Sequence, residues 1–197
     1  VWASGSGTTL QNLIDRSRAG TLSADVLLVI SDVANAGALD RARNAGIEFC
    51  QVSWKGRSIE SASQDAFDVC RKVDASLVVL AGFLKRIVVP EDFIGRIINV
   101  HPSLIPAFSG QGCYGHRVHE AAIARGVTVS GCTVHFCDNE YDHGPIISQR
   151  IVEVKEDDTA DDLAARVQRA EREALPEAIN SIVAGKIEVV GGRVRRH

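Results

Sequence analysis

The sequence has no methionine, only five prolines and only 5% aromatic residues. Without a methionine the chain as given does not start at an initiation codon, so we expect a few native residues before Val1. The longest apolar run, 77–84, is far shorter than the roughly 18 residues that a membrane-spanning helix needs. The N-terminus lacks the basic flank and the long apolar stretch that are typical of a signal peptide. We therefore expect a cytoplasmic protein without a membrane partner.

Excess positive charge is also missing, because the formal net charge is −3. Proteins that bind nucleic acid are usually basic over one face, so we expect no nucleic-acid partner. The local exception is a basic run at the C-terminus, which we interpret as a solvated tail; it comprises Arg193, Arg195, Arg196 and His197. Nothing in the sequence sets the oligomeric state.

The five cysteines contain no C-x-x-C pair, which argues against a zinc ribbon and a thioredoxin-type site. Free thiols in a reducing cytoplasm fit an odd number of widely spaced cysteines. His116 and His119 lie three apart and could both face a metal from one side of a helix. No third ligand accompanies them, so we expect structural or surface roles and no metal.

Residues 1–100 alternate strand and helix patterns, which predicts a parallel sheet with crossover helices. The predicted strands are 1–3, Ala24–Ile30, Ile47–Val52, Leu77–Ala81 and Gly95–Val100. The predicted helices between them are one that includes Leu10, Ala36–Ala45 and Glu60–Lys72. The chain is therefore predicted to be one α/β domain over 1–197. Its fold is Rossmann-like, with a mainly parallel twisted sheet and helices on both faces.

The second half changes character. Val127–Cys137 alternates apolar and polar residues, and Pro145–Val154 is a second such segment, so the two can pair as antiparallel additions. Thr159 and Asp162 predict a helix start of the capping-box type. We expect Pro176 to kink or restart that helix and Gly185 to end it.

A glycine-rich loop, Ser4–Leu10, lies between the first strand and the first helix. Free N–H groups at a helix N-terminus bind anions, which favours a phosphate site, although a tight connecting turn explains the glycines equally well. A dinucleotide fingerprint would need a third glycine where Leu10 stands. Asp32 could mimic the acidic ribose ligand of that motif, so a NAD-binding module remains an alternative.

The segment Ile97–Pro106 runs from an apolar strand into N-V-H-P. Alternation places Asn99 and His101 on one face, at the strand end where open α/β sheets bind ligands. An amide N–H₂ can stabilise an oxyanion and an imidazole can move a proton, so the pair suits addition to a carbonyl. A capping asparagine and a structural histidine are the alternative. A carboxylate from the acidic loop 138–145, with Asp142 as our choice, would favour a charged imidazole.

These motifs together resemble the phosphoribosylglycinamide formyltransferases, a family of folate-dependent enzymes of purine biosynthesis. The resemblance covers nearly the whole chain. It is carried by S-G-S-G-T-T-L-Q at 4–11, L-A-G-F-L-K-R-I at 80–87, N-V-H-P-S-L-I-P at 99–106, G-C-T-V-H-F at 131–136, D-H-G-P-I-I at 142–147 and A-R-V-Q-R-A-E at 165–171.

The resemblance implies transfer of a formyl group from 10-formyltetrahydrofolate, the co-substrate, to the amine of glycinamide ribonucleotide. Asn99, His101 and Asp142 match the family's catalytic residues. The ribonucleotide would be bound by Gly7, Thr8, Thr9, Gln168 and Glu171. The folate would contact Leu84, Lys85, Arg86, Ile87, Asn99, Cys137 and Asp138. Residues 1–100 would form the half that binds phosphate and ribonucleotide, and 101–197 the catalytic and folate-contacting half.

Several positions depart from the family pattern. Thr9 and Asp32 each stand where asparagine is usual, Lys85-Arg86 puts two bases where one is common, and Phe108–His116 is long. Arg57 does not align cleanly with the family's folate-binding arginine. A methionyl-tRNA formyltransferase would need a further tRNA-binding domain, and a formyltetrahydrofolate hydrolase an N-terminal regulatory one. A non-catalytic nucleotide-binding module is the alternative from another class; it leaves the N-x-H and D-x-G-P segments unexplained.

Overall fold

The computed structural model describes all residues, 1–197, and forms two compact units, residues 1–99 and 100–197. None of its helices combines the length and apolarity that a bilayer crossing requires. The elements of the first unit are α1 (Thr8–Arg18), β1 (Leu28–Ser31), α2 (Gly37–Ala45), β2 (Glu48–Gln51), α3 (Ile59–Lys72), β3 (Val78–Leu80), a 3₁₀ turn (Glu91–Phe93) and the start of β4 (Ile97–His101).

All strand pairs of this first unit are parallel. β1 pairs with β2, and β3 pairs with the first residues of β4. Trp2 forms parallel bridges to both Ile30 and Leu80, so the segment 1–3 lies between β1 and β3. The order across the unit is β2, β1, segment 1–3, β3, β4, and every strand ends at the same edge.

Trp2 holds this short central segment in place. Its indole is 1% exposed and packs against three other aromatic rings, with the Phe67 ring centroid 4.9 Å and the Phe83 centroid 5.4 Å away. Aromatic rings bury large apolar areas and gain from tilted contacts of this kind. Packing therefore compensates for a central segment that is only three residues long.

Gly7 begins α1 in the left-handed conformation, with φ +73°. A Cβ at this position would lie 2.7 Å from the Cα of Ala38 in α2, which is closer than real side chains approach. Glycine is required here both by the backbone conformation and by the packing of α1 on α2. The tight-turn explanation of this glycine is therefore correct, whatever else the loop binds.

The second unit contains α4 (His116–Arg125), β5 (Val129–Phe136), β6 (Ile146–Glu153), α5 (Ala160–Val183), β7 (Ile187–Val190) and β8 (Arg193–Arg196). β5 and β6 form an antiparallel pair, and α5 packs on both strands. The predicted α/β class, with parallel pairing and antiparallel additions in the second half, is confirmed. The capping box also forms: Thr159 Oγ1 accepts from Asp162 N, and Asp162 accepts from Thr159 N.

Two local features differ from the predictions. We expected Pro176 to kink or restart its helix; α5 continues through Pro176 without a restart, and buried residues on both sides of the proline, such as Leu175 and Ile179, keep one apolar stripe on the core. A kink at Pro176 stays a prediction. The C-terminal basic run is not a tail but strand β8. Gly191 and Gly192 both have positive φ, which suits a two-residue hairpin turn, and Arg196 Nη2 donates to the Ile147 carbonyl at 2.8 Å. Predicted strand ends also differ by a few residues; β1, for example, begins at Leu28 rather than Ala24.

We expect Gly7→Ala to lower the free energy of unfolding by about 3 kcal/mol, since it adds a steric clash to backbone strain. Gly20→Ala is the matched control: Gly20 has φ +69° but open space around it, so strain alone should cost about 1 kcal/mol. Chemical denaturation of the two variants measures both values. Equal losses would show that contact with Ala38 contributes nothing.

Candidate active site

His101 lies at the end of β4 and is 3% exposed. Its Nε2 is 2.9 Å from the carbonyl oxygen of Phe108, and its Nδ1 is 3.5 Å from Oδ2 of Asp142. A carbonyl oxygen only accepts, so Nε2 carries a hydrogen. A carboxylate also only accepts, so a doubly protonated ring has an acceptor beside each nitrogen.

Asp142 holds a carboxylate on which several groups converge. Its backbone has φ +51° and its side chain is 11% exposed. Oδ2 accepts a hydrogen bond from the Gly110 N–H at 2.8 Å, and Oδ1 lies 3.7 Å from Nε2 of His135. Left-handed backbone is uncommon outside glycine and points to a conformation imposed by its surroundings. The loop that joins β5 to β6 thus turns this side chain toward His101.

His135 is a site neighbour to which the sequence analysis assigned no role. It lies on β5, is 2% exposed, and its Nδ1 is 2.8 Å from the Phe136 carbonyl oxygen. Burial lowers the pKa of His135, so the neutral ring is favoured. Its signal was present in G-C-T-V-H-F, where an imidazole interrupts a strand that is otherwise buried and mostly apolar.

The long segment Phe108–His116 supplies two of the contacts just described. Phe108 has φ +50° and presents its carbonyl to His101, while Gly110 donates to Asp142. Two residues just before this segment are held by β5: the Ser103 carbonyl accepts from Thr133 Oγ1 at 2.7 Å, and the Ile105 N–H donates to the same oxygen at 3.1 Å. The segment is therefore tied to the histidine–carboxylate pair through its backbone.

Close backbone approach explains two glycines of the motifs. A Cβ on Gly131 would overlap the carbonyl oxygen of Arg150 on the paired strand, and a Cβ on Gly144 would overlap the carbonyl oxygen of Phe136. Gly131 therefore lets β5 and β6 approach closely within the sheet, and Gly144 lets the loop that carries Asp142 pass close to the end of β5.

Of the three predicted catalytic residues, the structure brings His101 and Asp142 together. Asn99 lies two residues before His101 on β4, is partly buried, and pairs in register with Leu80. Residues at alternate positions of a strand project from the same face.

The predicted ribonucleotide residues lie in both units. In the first, Thr8 and Thr9 are the first residues of α1, whose N-terminus has no side-chain cap and no acidic residue in its first turn. Arg41 Nε donates to the Ser6 carbonyl at 2.8 Å and fixes the preceding loop. In the second unit, Gln168 and Glu171 are half-buried and lie three apart on α5, which places them on one face.

The predicted folate residues Leu84–Ile87 lie in an irregular segment after β3. The Leu84 side chain is 49% exposed, whereas Ile87 is buried. In the second unit, burial raises the pKa of the Cys137 thiol, with the charges of Asp142 and Asp138 adding to the effect. Arg57, the arginine left unaligned, donates to Ser61 and pairs with Asp65.

The two histidines of α4 differ from each other. His116 is exposed and contacts Glu120 and Asp161, and hydrogen bonds to these carboxylates raise its pKa. His119 is buried, and desolvation lowers its pKa to about 4. No group of three or more histidine, cysteine, aspartate or glutamate residues is arranged to hold a metal ion.

Comparison with known proteins decides the family, since the family model described as formyl transferase matches residues 1–179. The chain belongs to the formyl transferase family. It is 38% identical to the chloroplastic phosphoribosylglycinamide formyltransferase of Vigna unguiculata, covering 95% of this chain and 61% of that protein. It is 37% identical to the trifunctional purine biosynthetic protein adenosine-3 of Bos taurus, covering 96% of this chain but 18% of that protein.

A solved formyl transferase structure supports the same assignment. Glycinamide ribonucleotide transformylase 1 from Symbiobacterium toebii has a TM-score of 0.89 and 38% identity, covering 99% of this chain and 91% of that one. This formyl transferase chain therefore spans nearly all of that enzyme but less than two thirds of the plant protein.

The half-buried Glu171 of α5 gives a test by pH. Burial raises the pKa of Glu171 from 4.5 to about 7, so the folded state binds a proton more tightly than the unfolded chain. Its contribution to stability is complete below about pH 4.5 and is lost as the pH rises through about 7. We expect Glu171→Gln to remove about 2 kcal/mol of this pH dependence, with the exposed Glu173→Gln as control. Denaturant titrations at several pH values in this range measure the free energy of unfolding. If that free energy depended on pH equally in the wild type, Glu171→Gln and Glu173→Gln, the assignment would be contradicted.

Proposed function

We propose that this chain transfers a formyl group from 10-formyltetrahydrofolate to the amine of glycinamide ribonucleotide. The observation that carries the proposal is the contact between His101 and Asp142 in a chain of the formyl transferase family. Relatives that match it over almost all of its length are phosphoribosylglycinamide formyltransferases. We also propose that 1–197 acts as one formyltransferase domain.

The chemistry that we propose is direct attack of the amine nitrogen on the formyl carbon, without a covalent enzyme intermediate. The carbonyl oxygen gains negative charge as the new C–N bond forms. Asn99 and protonated His101 stabilise that oxygen, because an amide and an imidazolium both donate hydrogen bonds. The bond from carbon to N10 of the folate then breaks, N10 takes up a proton, and the amine loses one.

Asp142 keeps His101 charged in this scheme, since an opposite charge favours the ionised ring. The Nε2 of His101 is bonded to the Phe108 carbonyl, and substrate oxygen would replace that carbonyl as its acceptor. Asp142 also assists, through water, in moving the proton that the amine loses. His135, buried and neutral, closes the other side of the carboxylate.

For binding, we propose that Gly7, Thr8 and Thr9 hold the phosphate of the ribonucleotide through backbone N–H groups, with Gln168 and Glu171 contacting the same substrate. The uncapped N-terminus of α1 supports the phosphate assignment. The folate contacts are assigned to Leu84, Lys85, Arg86, Ile87, Asn99, Cys137 and Asp138. The exposed Leu84 beside buried Ile87 supports an apolar ligand surface there.

We also propose a compartment and a class of partner for this enzyme. The five cysteines are all unpaired, which suits a reducing compartment, and we place the enzyme in the cytoplasm with small-molecule substrates only. The catalytic steps are assigned to side chains and need no metal ion.

The decisive experiment is an assay of formyl transfer from 10-formyltetrahydrofolate to glycinamide ribonucleotide. Formylated ribonucleotide and tetrahydrofolate should appear in equal amounts, and neither should form without the acceptor. Release of formate without the acceptor would identify a hydrolase instead. Ligand binding without any turnover would favour a non-catalytic binding module.

Replacing the proposed catalytic residues should lower kcat more than binding. We expect Asn99→Ala and His101→Ala to reduce kcat by about 10²–10³, because each removes a donor to the developing oxyanion. Asp142→Asn should reduce kcat similarly and move the alkaline limb of the pH profile to lower pH, since an amide does not stabilise the imidazolium. Profiles of kcat against pH for folded variants measure this. Glu140→Gln, on the same loop, is the control; if it lost activity while Asp142→Asn kept it, the carboxylate would be misassigned.

The phosphate site can be tested without turnover. Inorganic phosphate should shift the backbone amide resonances of Thr8 and Thr9, because these N–H groups lie at the positive end of α1. The first-turn amides of α4, which also lacks a side-chain cap, serve as the comparison. Equal shifts at both helices would mean that phosphate binds helix ends without selectivity.

A further inference from the structure

Asp32 carries a carboxylate that the proposed chemistry does not use. It directly follows β1, and its side chain is 4% exposed. Oδ2 lies 3.7 Å from Nζ of Lys85, whereas Oδ1 is buried without a hydrogen-bond partner. A buried carboxylate is strongly disfavoured unless a cation or donor compensates it. Lys85 is therefore the counter-ion on which this carboxylate depends.

The ion pair crosses the functional edge of the first unit. β1 and β3 lie on either side of segment 1–3, so the Asp32–Lys85 contact joins the residue after β1 to the irregular stretch after β3. Lys85 is 46% exposed, and its ammonium would otherwise turn to water. The ion pair with Asp32 therefore holds the long Lys85 side chain toward the protein.

Lys85 belongs to an irregular stretch, 82–88, that is held by side chains rather than by a helix or strand. The Leu84 N–H donates to Ser4 Oγ at 2.9 Å, Trp54 Nε1 donates to the Arg86 carbonyl at 3.1 Å, and the Val88 N–H donates to Ser63 Oγ at 2.9 Å. The Asp32–Lys85 pair falls between the first two of these contacts. It therefore restrains the part of the stretch where Leu84 and Arg86 face outward.

We propose that Asp32 and Lys85 form one coupled unit that positions the backbone of 84–87 to receive the folate co-substrate. The proposal rests on the proposed function for its ligand. Asp32 is a positioning residue in it, since it acts through Lys85 and not on the reacting atoms.

The test compares five variants with the wild type. Asp32→Asn removes the charge with little change of shape, Lys85→Met removes the cation, and the double variant removes both. Lys85→Arg keeps the cation and should restore the wild-type values. Lys72→Met, at the exposed end of α3, makes the same change of net charge elsewhere. Binding of tetrahydrofolate by calorimetry, steady-state constants and amide hydrogen exchange at Leu84 are measured for each.

We expect Asp32→Asn and Lys85→Met each to weaken tetrahydrofolate binding and raise the folate KM by about fivefold, the upper range for a partly exposed ion pair. The KM for the ribonucleotide and kcat should change less than twofold. Hydrogen exchange at Leu84 should accelerate in both single variants. The double variant should be no worse than either single one, because both remove the same interaction.

Additive losses in the double variant, or equal losses for both substrates, would overturn the coupling. Failure of Lys85→Arg to restore binding would also overturn it. Lys85 is surface-exposed, so Lys85→Met decides the outcome should Asp32→Asn fail to fold. Hydrogen exchange at Leu84 needs no substrate: faster exchange in a chain that transfers no formyl group would support the coupling and reject only the proposed function. Unchanged exchange would reject the coupling whatever the chain catalyses.

Discussion

The arrangement of the second unit depends on one mostly buried carboxylate. Asp142 lies between two imidazole rings and accepts a backbone N–H from Gly110. A charge removed from water is tolerated only where donors and opposite charge surround it. The end of β4 contributes the His101 ring, and the segment after Pro106 contributes the Gly110 N–H. Removing either would leave the carboxylate with one compensating group fewer, so the loop that bears Asp142 and the segment that bears Gly110 constrain each other.

Local patterns predicted much of this fold. The apolar spacing in α1 and α3, the capping box of α5 and the alternation in β5 and β6 all reflect interactions within a few residues, which sequence records directly. The contact between His101 and Asp142 was also predictable in part. An apolar strand that ends in N-V-H-P places a histidine at a ligand-binding edge, and an acidic loop closed by Gly-Pro supplied the carboxylate.

The remaining features depend on contacts between distant residues. Nothing in the local pattern shows that the Phe108 carbonyl meets His101, since this requires a left-handed residue in an irregular segment. The continuity of α5 through Pro176 depends on packing that outweighs a lost backbone hydrogen bond. The β7–β8 hairpin had a local signal in Gly191-Gly192, but a run of arginines masked it. Asp32 and Lys85 could each be seen as unusual, whereas their contact could not.

The overlap at Gly131 and Gly144 changes what the sequence motifs mean. Both positions must lack a side chain because a neighbouring carbonyl oxygen occupies the space, and no chemistry enters that requirement. Glycines in G-C-T-V-H-F and D-H-G-P therefore mark a close approach of two backbones, whereas the proposed reactivity rests on His101 and Asp142. A duplicated copy that had lost its activity would keep these glycines as long as it folded. Motif scores that weight all positions equally would then count such a copy as an enzyme.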